Sequence, residues 1–198
     1  DGTDEQKAQY LPALASGDMI ASFALTEPDA GSDAGSLRTT ARRDGNDFLL
    51  NGTKRYITNA PRADLFTVFA RTNPEAEGSA GVSAFLVEAG TPGITLGQPD
   101  RKMGQKGSHT CDVILDNVRV PAANIIGGPD RLNKGFKTAM KVLDRGRLHI
   151  SAVCVGAAER LIRDSLSYAM ERKQFGEPIA EKQLIQAMLA DSRAEAFA

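Results

Sequence analysis

The stretch TTARRDGNDFLLNG, residues 39–52, contains the pattern that decides the fold of the first half of the chain. Asp44-Gly45 is a strong hairpin signal, and it lies between two short β-prone runs. Similar runs, bounded by glycine, proline, asparagine or aspartate, recur outward from it. They are DMIASFALT (18–26), DFLLNG (47–52), ADLFTVFART (63–72), GVSAFLVEA (81–89) and TCDVILDNVRV (110–120). Short strands at this spacing predict an antiparallel β-barrel or sandwich, with another turn at Asn51-Gly52.

After Pro129 the pattern changes to a helical period. Apolar residues recur at steps of three and four, with one slip near Gly146. They are Phe136, Met140, Leu143, Ile150, Val153, Ala157, Leu161, Leu166 and Met170. The pattern predicts a helix of about forty residues, a length typical of a helical bundle. QFGEP (174–178) then predicts a turn, and residues 179–198 a second amphipathic helix.

Two helices cannot close a bundle, so their apolar faces need partners from other segments or another subunit. EQKAQYLPALAS (5–16) predicts a short leading helix with no evident core of its own. The start lacks an initiator Met, and the end, SRAEAFA, interrupts a helical pattern. We therefore expect the chain to be a fragment of a longer protein.

Composition excludes several classes of function. The chain of 198 residues is 41% hydrophobic and 25% charged, as in globular proteins, and its net charge of −1 gives no global attraction for nucleic acid or anionic lipid. No apolar run has the length that spans a bilayer. Cys111 and Cys154 lie among apolar residues, which favours two reduced core thiols over a disulfide. His109 and His149 have no ligand-spaced neighbours, so we expect no metal site.

The loop ALTEPDAGSD (24–33) follows a predicted strand that ends at Thr26. Its small residues leave backbone N–H groups uncovered and its hydroxyls add donors, a composition suited to a phosphate or a polar ring edge. Glycine, serine and aspartate also dominate plain surface turns, so that interpretation stays open.

Three further segments carry functional hypotheses, each with a structural alternative. In NGTKRYITNA (51–60), Tyr56 and Thr58 share one face of an extended run, where they suit a flat heterocycle or form a cross-strand pair. The cations of ERKQFG (171–176) either bind a pyrophosphate, with Phe175 packed on an adenine, or stabilise the negative end of a helix dipole. In DRGR (144–147), an arginine side chain either faces a ligand cleft or extends outward to solvent.

Four segments of the chain, taken in order, resemble the acyl-CoA dehydrogenase family. They are LTEPDAGSD, NGTKRYITNA, DRKMGQKGSHTCDVILDNVRVP and ERKQFGEPIAEKQ. The resemblance runs from about Gly17 to the last residue. It implies an α+β multidomain fold, an antiparallel β-barrel or sandwich followed by the first two long helices of a bundle. The implied domains are residues 1–16 (end of an N-terminal helical domain), 17–128 (β-domain) and 129–198 (truncated C-terminal bundle).

The resemblance also implies FAD as the cofactor. The implied FAD-binding residues are Phe23, Leu25, Thr26, Gly31, Ser32, Tyr56, Thr58, Arg172, Gln174, Phe175 and Gln183, of which the last four meet the FAD of a neighbouring subunit. Acyl-CoA is implied at Ser32, Asp144 and Arg147. At position 56 the family's commonest residue is tryptophan, and Tyr56 keeps a stacking ring of smaller area.

The implied reaction is α,β-dehydrogenation of an acyl-CoA thioester. A glutamate removes the Cα proton, the Cβ hydride passes to flavin N5, and an electron-transfer flavoprotein takes the electrons. One branch of the family carries the base where this chain has Gly146, so we expect the base beyond Ala198. We assign that role to none of Glu159, Glu171 and Glu181, and we expect the 198 residues alone to be inactive.

The family's enzymes are usually tetramers, and the bacterial cytoplasm and the mitochondrial matrix are both compatible with the resemblance. Two alternatives stay open. One is a relative on the same fold, such as an acyl-CoA oxidase or a flavin monooxygenase-like protein. The other is a non-catalytic β-module that binds a ligand or a partner.

Overall fold

A computed structural model describes residues 1–198, and it divides into two compact units, residues 1–141 and 142–198. The first unit contains helix α1 (Asp4–Ser16) and seven strands. The strands are β1 (Ala21–Ala24), β2 (Thr40–Asp44), β3 (Asp47–Thr58), β4 (Leu65–Arg71), β5 (Val82–Glu88), β6 (Ile94–Leu96) and β7 (Thr110–Pro121). Helix α2 (Gly135–Glu171) begins in this unit and continues into the second.

The seven strands form one open sheet in the order β1-β4-β2-β3-β7-β6, with β5 also paired to β4. Most pairs are antiparallel, but β1 runs parallel to β4 along its length and β2 meets β4 in parallel at Thr40 and Arg71. The fold class is confirmed, while its wholly antiparallel detail is wrong. The connection between β1 and β4 includes the hairpin β2–β3, and it is long enough for β4 to run in the same direction as β1.

The predicted hairpin at Asp44-Gly45 is confirmed, because β2 ends at Asp44 and pairs with β3. The turn predicted at Asn51-Gly52 is wrong: both residues lie inside β3, at a shift in its register with β7. Gly52 has φ 151°, and a Cβ there would lie 2.4 Å from Thr39 Oγ1. Glycine is therefore required here by a β-bulge and by the close contact with Thr39, and the chain does not reverse its direction.

The core of the first unit forms from alternate residues of the long strands. Phe48 and Leu50 of β3 are buried with Phe66 of β4 and Phe85 of β5, and the rings of Phe48 and Phe85 lie 5.4 Å apart. Period-two burial makes one face of β3 and β7 part of the core, whereas β4 and β5 are buried along most of their length.

Helix α1 packs on this unit. Tyr10 is buried, and Gln6 Nε2 donates to the carbonyls of Ala123 and Ile125, each at 2.8 Å. The Gln6 side chain also belongs to a capping box with Thr3. The assignment of residues 1–16 to a separate helical domain, and the boundary at residue 128, stay predictions.

The second unit contains most of α2, the two-stranded hairpin β8 (Lys173–Gln174) and β9 (Glu177–Pro178), and helix α3 (Gln183–Phe197). The long helix and the second helix are confirmed. Several apolar side chains on α2 are more than half exposed, namely those of Leu148, Ile150, Val153, Leu161 and Met170. This exposure agrees with the expectation that two helices leave apolar faces without partners.

Cys111 is buried and Cys154 is exposed, and both are free. The prediction of a core position is therefore confirmed for Cys111 and wrong for Cys154, which belongs to the uncovered part of α2. Neither α2 nor another helix combines the length and hydropathy that a membrane span requires.

Candidate functional site

The loop after β1 begins with a tight turn. Glu27 N–H donates to the Ala30 carbonyl at 3.0 Å, and Ala30 N–H donates back to the Glu27 carbonyl at 3.2 Å. Pro28 occupies the second position of this four-residue turn, where its fixed φ is favourable. The turn therefore fixes the backbone immediately after Thr26.

Thr26 lies beside the end of β3. The Arg55 N–H donates to the Thr26 carbonyl at 2.8 Å, and Ser22 Oγ donates to the Thr58 carbonyl at 2.7 Å. These two bonds hold the segments 22–26 and 55–58 side by side. The two parts of the chain that carry the flavin hypothesis thus lie together on the first unit.

Tyr56 has an unusual backbone conformation. Its φ is 57°, in the left-handed region, and the register of β3 with β7 shifts between Lys54 and Ile57. Bulges of this kind redirect side chains beside active sites, and a bulky residue with positive φ is a strained outlier. The extended run predicted for this segment is therefore interrupted at Tyr56, and the strain at an exposed aromatic residue favours a binding role.

The exposure of this segment agrees with the predicted faces. Tyr56 is 58% exposed and Thr58 is exposed, while Ile57 between them is buried in the core. The Arg55 guanidinium lies 4.8 Å from the centre of the Tyr56 ring and pairs with Asp112 at 3.0 Å. An exposed ring and an exposed hydroxyl thus lie on the segment that is bonded to residues 22–26.

The remaining predicted residues of the first unit precede or follow this turn in the chain. Gly31 and Ser32 are exposed, and a Cβ built on Gly31 would meet no atom within 4 Å, so a ligand can approach the backbone there. Phe23 is half-buried with its ring 4.9 Å from that of Phe69, and the Leu25 side chain is buried. The surface has the exposed ring, hydroxyls and open backbone that a flat ring system with a phosphate tail requires.

The structure adds two residues that the sequence analysis missed. Lys54 is fully buried, and its Nζ lies 2.8 Å from Glu27 Oε1 and 3.1 Å from the Leu25 carbonyl. The Glu27 carboxylate also accepts the N–H groups of Arg38 at 2.6 Å and Thr39 at 2.9 Å. Lys54 lies an even number of residues after the buried Phe48 and Leu50 on β3. This alternation is the signal in the sequence that predicts an inward-facing side chain at position 54.

Both members of this pair have shifted pKa values. Burial lowers the pKa of Lys54 to about 8, against the opposing attraction of Glu27. Burial by itself would raise the pKa of Glu27, but the charge and hydrogen bond of Lys54, with the bonds from residues 38 and 39, hold that pKa below its ordinary 4.5. Both groups are therefore charged near neutral pH.

The Glu27 pKa gives a pH prediction. Since folding lowers this pKa, the ionised carboxylate stabilises the fold above pH 4.5, and that contribution disappears as the pH falls through the folded-state value. We expect Glu27→Gln to be less stable than the wild type at neutral pH and the difference to shrink on acidification. Urea unfolding of both chains from about pH 7 to about pH 3 measures it. A difference independent of pH would contradict the assignment.

The predicted residues of the second unit lie at the end of α2 and beyond it. Phe175 and Gly176 form the loop of the β8–β9 hairpin, with φ 57° and 88°, the conformation of a type I′ turn. Phe175 is 96% exposed, and Lys182 Nζ lies 5.8 Å from its ring centre. The turn predicted here is thus confirmed as a hairpin that presents an aromatic ring.

Arg172 precedes β8, Gln174 lies within it, and Gln183 is the first residue of α3. Their side chains are exposed. Asp144 and Arg147 form an ion pair one turn apart on α2. The structure therefore brings the residues from Arg172 to Gln183 into one region of the second unit, with the Asp144–Arg147 pair elsewhere on its long helix.

Comparison with protein families gives two matches. The model of the acyl-CoA dehydrogenase middle domain matches residues 22–118, and that of the acyl-CoA dehydrogenase C-terminal domain matches residues 133–198. The first match contains the Thr26 turn and the bulged end of β3. The second contains α2, the hairpin and α3.

Individual proteins show the same relationship. The chain is 50% identical over 197 residues to an acyl-CoA dehydrogenase of Bacillus subtilis, covering 98% of this chain and 51% of that protein. It is 48% identical over 192 residues to acryloyl-CoA reductase (NADH) of Anaerotignum propionicum, covering 96% and 48%. A glutaryl-CoA dehydrogenase of Mycobacterium smegmatis in complex with FADH2 has a TM-score of 0.89 at 40% identity, covering 98% and 48%.

The chain thus spans about half the length of each of these proteins. Both family models, these identities and the shared fold point to the same family. The chain belongs to the acyl-CoA dehydrogenase family.

Proposed function

We propose that this chain forms the flavin-facing part of an FAD-dependent enzyme that oxidises the Cα–Cβ bond of an acyl-CoA thioester to the trans-2-enoyl product. The observation that carries the proposal is the placement of the segment 22–26, which ends at Thr26, beside the segment 55–58, which contains Tyr56 and Thr58; the Arg55 N–H and the Ser22 hydroxyl join the two segments. When bound, FAD would supply the two-electron redox chemistry that protein side chains lack.

Each group of the first unit has a role in this proposal. Thr26 directs its hydroxyl and backbone to the polar pyrimidine edge of the ring system, and Thr58 offers a hydroxyl near N5. Tyr56 stacks beside the ring, which explains why a strained and exposed conformation is retained. Phe23 and Leu25 shape the strand beneath the site. Gly31 and Ser32 present open backbone and a hydroxyl to the pyrophosphate and the CoA.

The second unit serves a neighbouring subunit in this proposal. Arg172, Gln174, Phe175 and Gln183 would meet the FAD of another copy, because the hairpin presents cations and an exposed ring with positive φ. Asp144 and Arg147 would line the acyl-CoA side of the cleft. Assembly into a homo-oligomer, a tetramer for the whole protein, would also cover the exposed apolar residues of α2.

No glutamate of this chain is assigned as the catalytic base. The position that carries the base in one branch of the family is Gly146, which is exposed and where a Cβ would meet nothing within 4 Å. We propose that the base is supplied from beyond Ala198 and that the 198 residues alone show no acyl-CoA-dependent dye reduction. Vigorous turnover by this chain with FAD would place the base within it.

A titration with FAD tests the proposal through Tyr56. Loss of a stacking ring typically weakens binding by about 1–3 kcal/mol, so we expect Tyr56→Ala to lower FAD affinity about tenfold. Tyr56→Phe keeps the ring and is the matched control, with affinity close to that of the wild type. Flavin absorbance and fluorescence measure both. Saturable binding that is equal in Tyr56→Ala and the wild type, or no binding by any of them, would contradict the proposal.

The similarity to an acryloyl-CoA reductase favours a second candidate, reduction of an enoyl-CoA by the same groups acting in reverse. For the dehydrogenase we propose an electron-transfer flavoprotein as the acceptor, in a bacterial cytoplasm or a mitochondrial matrix. Assays of the whole protein separate the candidates. Acyl-CoA oxidation that requires an electron-transfer flavoprotein supports the dehydrogenase, NADH-dependent loss of an enoyl-CoA supports the reductase, and oxygen uptake supports an oxidase.

A further inference from the structure

The buried pair of Lys54 and Glu27 fixes the residues on both sides of Thr26, a residue of the proposed flavin site. Lys54 Nζ donates to the carbonyl of Leu25, the residue before Thr26, at 3.1 Å. The same Nζ binds the carboxylate of Glu27, the residue after Thr26, at 2.8 Å. The carbonyl of Thr26 itself accepts the N–H of Arg55, which follows Lys54. Three consecutive residues are thus fixed to two consecutive residues of β3.

The pair also connects this segment to the start of β2. Glu27 accepts the backbone N–H groups of Arg38 and Thr39, and Thr39 precedes β2 directly. The Lys54 side chain has 0% exposure and that of Glu27 has 6%. Water therefore has little access to these bonds, and the backbone around Thr26 has little freedom to change its direction.

Stability alone is a weak reason for such a pair. Desolvation of two charges offsets most of their attraction, and apolar replacements of similar volume are often neutral or stabilising. A charged pair with several directed hydrogen bonds does, however, define geometry more closely than apolar packing does. The placement of this pair around Thr26 shows which geometry it defines.

We propose that Lys54 and Glu27 are positioning residues for the flavin: they hold Thr26 at the angle at which its backbone and hydroxyl meet the ring edge. This inference rests on the proposed function of Thr26. Because the Lys54 side chain is fully buried and that of Glu27 is almost fully buried, both act through Thr26 rather than by contact with the flavin. A role limited to stability would instead lower the fraction of folded protein and leave the affinity of the folded protein unchanged.

Lys54→Met tests the inference against Leu50→Ala, a core truncation on the same strand with a buried side chain. Both chains are compared under conditions in which each is fully folded by circular dichroism. We expect Lys54→Met to weaken FAD binding about tenfold and Leu50→Ala to stay within about twofold of the wild type. Hydrogen exchange at the Arg55 amide should accelerate more in Lys54→Met than in Leu50→Ala, because the Thr26 carbonyl loses its fixed position.

A double-mutant cycle with Thr26→Val separates the two proposals. If Lys54 acts through Thr26, the loss of FAD affinity in the chain with both changes is smaller than the sum of the two single losses, because the hydroxyl that Lys54 helps to position is already absent. Additive losses, or equal FAD affinities in Lys54→Met and Leu50→Ala, would overturn the positioning role while leaving the flavin site in place. No saturable binding by the wild type and Leu50→Ala would overturn the proposed function, and the positioning role with it.

Discussion

Lys54→Met is expected to lower the free energy of unfolding by about 3–5 kcal/mol, the usual loss when one partner of a buried ion pair is removed. Methionine fills a similar volume, so the loss comes from the Glu27 carboxylate that stays buried without its cation. The Leu25 carbonyl also loses a donor. Urea unfolding followed by circular dichroism measures this difference at neutral pH.

The second partner provides the control. In Lys54→Met/Glu27→Gln, a neutral amide replaces the unpaired charge, and its one oxygen still accepts one of the two N–H groups, of Arg38 and Thr39, that the two oxygens of Glu27 accept separately. We expect this chain to recover part of the loss. Lys54→Met/Glu27→Leu should recover less, since both N–H groups then lack an acceptor. Equal stability of the wild type and Lys54→Met would show that Glu27 is buried without its cation at no cost, which contradicts the prediction.

Local signals made much of the fold predictable from the sequence. The Asp44-Gly45 hairpin and the period-two burial at the start of β3 follow from neighbouring residues alone, as do the short apolar runs that form the almost wholly buried β4 and β5. The same holds for α2, whose apolar residues recur at helical steps over its whole length. Such features depend on turn chemistry and periodicity, which a sequence displays directly.

Features that depend on long-range pairing were not predictable. The parallel pairing of β1 with β4 joins residues about forty positions apart, and the shifts in β3 occur only against β7. Asn51-Gly52 therefore has the composition of a turn while it lies in a strand. Cys154 has apolar neighbours but is exposed, since nothing in this chain covers that part of α2.

The candidate site was predictable in part for the same reasons. Thr26, Tyr56 and Thr58 stand in segments with recognisable composition, and exposure separated Tyr56 and Thr58 from Ile57 as alternation predicts. Lys54 was missed because lysine is almost never fully buried without a partner, and its partner Glu27 lies 27 positions earlier in the chain. A charged residue at an inward strand position is a signal to search for such a partner.

Gly135→Ala is expected to destabilise the first unit by about 3 kcal/mol, the upper part of the range for overpacked cores. Gly135 is buried at the start of α2, where a Cβ would lie 2.2 Å from the Ala84 N and 2.4 Å from the Ser83 carbonyl carbon. Both are backbone atoms of β5, which cannot rotate away as a side chain would. Asn133 N–H also donates to Ser83 Oγ at 2.7 Å, so a displaced helix start would strain this bond.

The same substitution at Gly146 is the control, because this glycine lies on the same helix, inside it rather than at its first residue, and in open surroundings. A Cβ at Gly146 would meet nothing within 4 Å, and alanine has the higher helix propensity. Gly146→Ala is therefore expected to raise the free energy of unfolding by about 1 kcal/mol. Because packing against β5 acts at Gly135 alone, the two substitutions must have opposite signs in urea unfolding. A stabilising Gly135→Ala would mean that α2 does not begin in contact with β5.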